Sequence, residues 1–469
     1  MINQANRIPT QSKVIWDQDE KISKEILVKM IMEYLSSAEF KRLEMYGKYY
    51  EGINPDITGK YLDRRYRNKT PNNYIPTAYY STVVDTMSGY MFSNVQYIPD
   101  KPADKKYAEA LNELFKENNN DIKEMKTGVA ALAYNKGIEL VYTTGDGIGT
   151  PAIKYANIDP RQVLLVWNQN IEPDIVCGVR ITKSNNPDYE YNVDVIYKDE
   201  WQFYYMKSGE LSERKPIREL FFDECPFILY NAEMMNDNSP YQTILPYIDA
   251  LDYLVSGNSN EVERLVDAIL VLGKKLKPED KRDMSEWKVL EGMAKEGGSD
   301  RSKAEYITKD MSPQFREYVS KLLINEIHKH SHVIDWYSPD QGLTGEVSAK
   351  AMITRLFDMD MDSRRKEKIY KEGSEKRVRL VNTLLEATGQ PTGAVKIVFN
   401  RTTPDDFEAK AAALNLIAFI SDKTKLKLVG LDPEEELELL KEQKEQNMAD
   451  FNLGLTEPEE EETEEEVEA

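Results

Sequence analysis

The chain's three histidines, His328, His330 and His332, stand at alternate positions in the stretch NEIHKHSHVIDWYSPDQGLTGEVSAKAM, residues 325–352. Imidazoles this close together are zinc ligands when a strand or an irregular segment presents them to one point. The surrounding pattern is helical, and on a helix His328 and His332 share a face while His330 turns to roughly the opposite one. A zinc enzyme of the HExxH kind also needs a glutamate directly after the first histidine, where Lys329 stands. The plainer chemistry is cationic, since Lys329 and any protonated imidazole interact favourably with the carbonyl end of a helix.

Other candidates thin out in the same way. DMDMD, residues 358–362, begins like a calcium loop, but Ser363 occupies the position that needs glycine and Ile369 the one that needs glutamate. In a helical context Asp358 and Asp362 form one solvated or ion-paired side. GDGIG, residues 145–149, is followed by Pro151 and a strand pattern rather than by GK[ST], so it reads as a hairpin turn and not a phosphate loop. No GxSxG, paired carboxylates or partnered cysteine emerges. DRRYRNK, residues 63–69, is the nearest approach to a phosphate-gripping cluster and reads equally as a basic surface loop. The expectation is no catalytic residue, no cofactor and no metal. Two rival classes stay open: a metal-dependent nuclease using the histidines with DMDMD, and an acidic assembly scaffold or adaptor.

Composition frames these readings. A chain of 469 residues that is 41% hydrophobic can bury a core in two or three domains. Its net charge is -21, of which residues 432–469 carry -15, with 17 acidic residues against two lysines. The ending EPEEEETEEEVEA is a like-charge block expected to stay disordered. Cys177 and Cys225 show no paired spacing, which fits a reducing compartment. Neither a signal peptide nor a membrane-length apolar run is present, so cytoplasm-like solvent is expected.

The elements that must position any site follow from periodicity. Residues 21–50 read as an amphipathic helix, with further helices over TAYYSTVVDTMSGYMF and over 103–118. From Gly137 to Tyr230 short β-branched and aromatic runs (IELVYTT, PAIKYANI, QVLLVWN, IVCGVRIT, YNVDVIYK, WQFYYMKSG, FILYN) predict antiparallel strands. Helical spacing returns from residue 240 through Ile248, Leu251, Val255 and Val262 to Leu272, ending near Gly273. A polar insert at 274–311 holds two strand-like pieces. Pro313 then opens a helix with Phe315, Tyr318, Val319, Leu322, Leu323 and Ile327 on one face. A helix over about 347–388 would be roughly 60 Å long, with Gly373 the expected bend. The strand AVKIVFN and two helices starting at Pro404 and Pro433 complete the chain.

Several words in this order carry a resemblance. YYEGINPDI followed by PNNYIPTAYYSTVVDTMSGYMFSNVQY, then IDPRQVLLVWN, FDECPFILYNAE, TGEVSAKAMITRLFDMDMDSRRKEKIYKEG and FNRTTPDDFEAKAAALNLIAFISDKTKL span nearly the whole chain. In that order they resemble the portal (head-to-tail connector) proteins of tailed bacteriophages, of the siphophage type of Gram-positive hosts. The order Thr344, Gly345, Glu346, Val347, Ser348 departs from the Ser-Gly that often precedes the long helix in that family.

The resemblance implies an α+β, mainly helical portal fold with a long kinked helix, about twelve copies of which form a ring. It implies a wing over 1–238, stem helices at 239–272 and 313–332 around a clip at 273–312, and a tunnel loop at 333–346. The long wing helix and return strand would span 347–404, crown helices 405–446 and a disordered acidic tail 447–469. Trp336, Tyr337, Ser338, Asp340, Gln341, Leu343, Thr344 and Glu346 would face a channel for double-stranded DNA. Lys321, His328, Lys329 and His330 would form a basic stem end, and Lys281, Arg282, Trp287, Lys288 and Arg301 a clip that receives the terminase large subunit or a head-completion adaptor. Capsid and scaffolding proteins are further implied partners, with no membrane, at the capsid portal vertex of the virion after assembly in the host cytoplasm.

Overall fold

The computed structural model describes residues 14–16, 20–58, 73–144, 152–266, 269–272, 289–291, 304–307, 313–335 and 349–401, with a few near 421–425. The chain divides into two units, Met1–Glu346 with Thr354–Thr402, and Val347–Ile353 with Thr403–Ala469. Of the second, little beyond the helical backbone of 349–353 is described, and the crown helices and acidic tail lie outside the described residues.

The first unit opens with two helices, α1 (Lys24–Ser36) and α2 (Ala38–Tyr50), where periodicity alone predicted one. Ser37 separates them: its backbone is extended and its hydroxyl accepts the Phe40 N–H at 3.0 Å, the N-cap a new helix needs. Then come α3 (Tyr79–Phe92), the short strand β2 (Val95–Pro99), α4 (Lys105–Glu117) and α5 (Asn120–Tyr134). α5 escaped the sequence reading because Gly128 and three alanines dilute its apolar stripe.

The strands follow: β3 (Gly137–Thr144), β4 (Ala152–Ile158), β5 (Val163–Trp167), β6 (Ile175–Lys183), β7 (Tyr191–Ile196), β8 (Glu200–Lys207), β9 (Glu210–Glu219) and β10 (Phe227–Tyr230). β5 to β9 form an antiparallel meander, with the two-residue β1 (Val14–Ile15) parallel to β5 at its far edge. β10, β3 and β4 make a second antiparallel sheet, so the strands flanking GDGIG do pair as a hairpin. β9 was not anticipated, since ELSERKPIRE carries charges and a proline; those are the features that suit an exposed edge strand.

Helix α6 runs Leu245–Val266 and gives way to strand β11 (Ile269–Leu272), which pairs with β12 (Val289–Glu291) and β13 (Ala304–Ile307). The expected continuation of the helix to Gly273 is therefore corrected: Ile269 to Leu272 keep the apolar character that suits either state, and pairing on both sides selects the strand. α7 (Pro313–Ser331) runs antiparallel to α6, and α8 (Ala349–Ala387) is the long helix, followed by β14 (Val395–Phe399), which pairs with β2.

Two cores result. The smaller lies between α1, through Leu27, Ile31 and Tyr34, and one face of the meander, through Val166, Cys177, Val179, Val193 and Val195. The larger gathers α2, α3, α5, the β3 sheet, α6 and α8. Cys177 and Cys225 are both free and buried, and burial pushes the Cys225 thiol up to about 11, which leaves it unreactive. α8 is helical without interruption across Gly373; what the glycine supplies is room, because a Cβ there would sit 2.5 Å from the Tyr230 ring.

At the centre of the larger core Arg377 of α8 is fully buried. Its Nε and Nη2 donate to the Glu139 carboxylate at 2.7 and 3.1 Å, and its Nη1 donates to Glu124 at 2.5 Å and to the Tyr97 hydroxyl at 3.0 Å. Burial pushes the Glu139 carboxyl up, with Arg377 opposing; burial works against the Arg377 charge too, but Glu124 and Glu139 outweigh it and the guanidinium stays protonated. Arg377→Met should cost about 3–5 kcal/mol, because it strands two buried carboxylates. Arg379→Met, two residues on and largely exposed, should cost under about 1 kcal/mol. Denaturant unfolding of both variants checks this, and equal midpoints would refute it.

Candidate functional site

The stem-like pair α6 and α7 is held to the rest of the unit by a polar ladder. Positions 249, 252, 256, 260 and 263 fall on one face of α6, and each takes a group from the segment 49–77. Asp249 accepts from the Tyr49 hydroxyl at 2.7 Å, and Asn54 donates to both Asp249 and Asp252 at 2.9 Å. Asp252, almost wholly buried, also accepts the Thr77 N–H at 2.8 Å; Ser256 accepts the Ile75 N–H at 3.0 Å and Asn260 the Asn73 N–H at 2.5 Å. The extended run at 73–78 has no strand partner, so side chains of α6 satisfy its backbone. Asn73 and the word Ile75-Pro76-Thr77 in the sequence are thus the complement of a helix nearly two hundred residues away. Periodicity cannot reveal such a pairing.

α7 docks on α6 at both ends. Arg316 reaches Asn258 at 3.0 Å and pairs with Glu261, while at the other end His330 stacks on Tyr247 at 5.3 Å between ring centroids. Leu323, Ile324 and Ile327 turn inward to the core, but Phe315, Tyr318 and Leu322 face outward and are exposed. The single apolar face read from the sequence is therefore two stripes.

The three histidines diverge. His328 is the most enclosed, with Nδ1 at 2.9 Å from the Val333 carbonyl, Nε2 at 4.0 Å from Asp335 and the ring edge-on to Tyr79. His330 lies 3.2 Å from Glu326, and His332, in the left-handed region at φ 57°, reaches across to Asp358 of α8 at 2.9 Å. Among the described residues no group of three or more His, Cys, Asp or Glu stands where it could hold a metal ion. Lys329 pairs with Glu326 at 3.6 Å and Lys321 with Glu317 at 2.8 Å, both ammonium groups well exposed. His328, Lys329, His332, Arg355 and Asp358 line a cleft of about 380 Å³ between the end of α7 and the start of α8.

DMDMD lies on α8 and is ion-paired along its length: Asp358 with His332, Asp360 with Arg364 and Arg401, and buried Asp362 with Lys366 and Arg365. Of the sequence-predicted site residues, His328, Lys329 and His330 lie on the last turn of α7, and Lys321 lies near its middle. Trp336, Tyr337, Ser338, Asp340, Gln341, Leu343, Thr344 and Glu346 lie outside the described residues, as do Lys281, Arg282, Trp287, Lys288 and Arg301.

An extended N-terminal segment bound along one helix, an antiparallel partner helix leaving a three-stranded sheet between them, and one long helix behind both make up the architecture. A family model for phage portal proteins of the SPP1 Gp6-like type matches residues 32–450. The chain belongs to that family. Among curated proteins no match is found. One solved chain from the neck of an empty gene transfer agent particle is 12% identical over 75% of this chain and 90% of its own, with a TM-score of 0.44. A second, from the virion of a native gene transfer agent particle, is 13% identical over 88% and 100%, with a TM-score of 0.43. The protein is thus a portal protein of the phage head-to-tail connector, a virion component. Among the described residues no helix is long and apolar enough to cross a membrane.

The ladder makes a test of what positions α6 and α7. Asp252→Ala removes the acceptor of the Thr77 N–H and hydroxyl and one of the two that Asn54 uses, and should cost about 2–4 kcal/mol, since it leaves the Thr77 donors without a partner. Asp252→Asn keeps one acceptor oxygen and should cost roughly half as much. Thermal and urea unfolding of the two variants, compared with the parent, would read the difference.

Proposed function

We propose that copies of this portal protein close into a ring of about twelve subunits whose channel passes double-stranded DNA without reading its sequence. The observation that carries this is the outer stripe of α7. Phe315 and Tyr318 are each 64% exposed, and Leu322 on the same stripe and Val262 of α6 are exposed beside them. A pair of helices that leaves aromatic and aliphatic side chains in water on one flank has a use for a neighbour's flank, and a repeated head-to-tail contact closes a ring when its rotation divides the circle. Membership of the portal family supports the same reading.

On this reading residues 1–238 and the long helix are wing, α6 and α7 the stem, the insert at 273–312 the clip and 405–446 the crown. The loop bearing Trp336, Tyr337, Ser338, Asp340, Gln341, Leu343, Thr344 and Glu346 projects toward the channel, while Lys281, Arg282, Trp287, Lys288 and Arg301 of the clip meet the terminase large subunit and later a head-completion adaptor. The protein acts as conduit and platform and not as an enzyme, and the terminase supplies the energy. Capsid and scaffolding proteins meet it during assembly in the host cytoplasm. A nuclease built on the histidines is disfavoured, since each imidazole has a different partner.

Negative-stain microscopy of the purified chain should show rings with a central hole wide enough for a duplex. Phe315→Glu with Leu322→Glu should yield particles of single-subunit mass with unchanged far-ultraviolet circular dichroism. A parent chain that stays a lone monomer at every concentration overturns the proposal. Lys321→Glu with Lys329→Glu should leave rings intact yet slow DNA packaging several-fold, because exposed cations contribute backbone contacts that fall away with the charge. Unchanged packaging would remove these lysines from the DNA path.

A further inference from the structure

The meander has two faces, and only one is covered by α1. On the other, the rungs of β6 to β9 carry Arg180 opposite Asp194, Asp194 opposite Phe203, Asn192 opposite Tyr205 and Phe203 opposite Lys215. Toward β5 this face runs under the larger core through Ile196, against which Trp201 packs. Further out Tyr189 stacks on the Tyr205 ring at 4.2 Å between centroids, and Trp201, Phe203 and Tyr205 are all partly exposed in a row along β8. A solvated sheet face ordinarily alternates to polar residues at these positions.

The rings are flanked by cations in a fixed way. The register of β8 and β9 slips between Phe203 and Tyr204, so that Lys215 faces Phe203 and Glu213 faces Tyr204. Arg214 is the extra residue of that bulge, and its guanidinium stays on the aromatic side, 5.6 Å from the Phe203 ring centre and 5.9 Å from that of Tyr205. Lys215 lies 5.7 Å from the same Phe203 ring. The bulge thus delivers two consecutive cations to one face, where a regular strand would deliver one. Their counter-ion is a single acid, Asp194, which pairs with Arg214 and, at 3.6 Å, with Arg180. Lys207 and Glu210 at the hairpin end offset one another, and Glu213 is committed to Lys24 on the opposite side. Arg180 Nε, Arg214 Nε, Trp201 Nε1 and Asn192 Oδ1 are buried beneath this face with no hydrogen-bond partner.

We infer that this aromatic and arginine face, formed by Arg180, Trp201, Phe203, Tyr205, Arg214 and Lys215, is a docking surface for an acidic peptide segment of a partner protein, carboxylates seated on the cations and apolar side chains on the rings. Charge selects the occupant: in a chain of net charge -21 this face carries three cations, Arg180, Arg214 and Lys215, against the one acid Asp194. The surface belongs to one copy and does not depend on ring formation.

The test uses the full chain and a fluorescein-labelled acidic peptide in which glutamates alternate with leucine and phenylalanine. The controls are the same peptide with glutamine for glutamate and a labelled oligothymidylate. Anisotropy should show saturable binding of the acidic peptide that weakens with added salt, and hydrogen exchange should slow in residues 200–219. Lys215→Glu and Arg180→Gln should each weaken binding by about tenfold. Both avoid the buried Asp194 contact of Arg214, and unchanged circular dichroism confirms that they fold. Binding that survives both substitutions, or protection elsewhere, overturns the inference. Tighter binding of oligothymidylate than of the acidic peptide overturns it too, since the rings and arginines would then be stacking bases.

Discussion

The position of α8 depends on a charge that cannot be left alone. Arg377 enters a fully buried core, and the charges that make this tolerable are Glu124 of α5 and Glu139 of β3, which stand more than two hundred residues earlier. A buried guanidinium with two fixed carboxylates has one acceptable rotation and one acceptable height for its helix, because a shift of one residue would turn it into apolar neighbours. Everything along the same helix is then in register. Gly373 meets Tyr230, Lys366 reaches Asp362 and the Tyr241 hydroxyl just before α6, and Asp358 meets His332 at the exit of α7. Between positions 358 and 377 the helix covers roughly 28 Å. Over that length it touches the segment just before α6 and the exit of α7.

The same logic explains why burial of Lys366 is acceptable. Burial lowers its affinity for a proton, and Asp362 one turn earlier opposes the effect, so the pair stays together rather than neutral and apart. Two buried ion pairs on one helix are a weak source of net stability, since hydrophobic replacements would pack as well. They do exclude alternatives, and a long helix with few capping signals has many alternative registers.

Much of this was legible in advance and some was not, for physical reasons. Periodicity located α3, α4, α7, α8, β14 and the strands from β3 to β8, because those elements bury one face and repeat accordingly. It merged α1 with α2, since a serine cap interrupts the backbone without interrupting the hydrophobic pattern. It extended α6 into β11, where four consecutive apolar residues satisfy both periods. Arg377 did leave a trace: it sits on the heptad face of Tyr370, Val381 and Leu384, where an arginine is out of place unless something receives it. The ladder on α6 left none, because Asp, Ser and Asn on a helix look like an ordinary solvated face until the extended segment lies against them. The histidine stretch was placed correctly at a helix exit, yet its partners, Val333, Glu326 and Asp358, are a matter of tertiary contact.

The two cationic regions of the molecule differ in how their charge is held, and the difference bears on what each can do. Lys321 and Lys329 stand in water beside Glu317 and Glu326 one turn away, so at a distance each pair is a dipole whose field dies within a few ångströms at physiological salt. Such a surface holds an anion only weakly. On the meander face opposite α1, Arg214 and Lys215 are packed over aromatic rings with one buried acid between two arginines, so desolvation has already been met and the net charge survives. A surface of that kind retains what it binds. The same ionic groups are thus treated in opposite ways, and this chain places the loosely compensated cations beside a buried acid on its sheet and the closely compensated ones on α7.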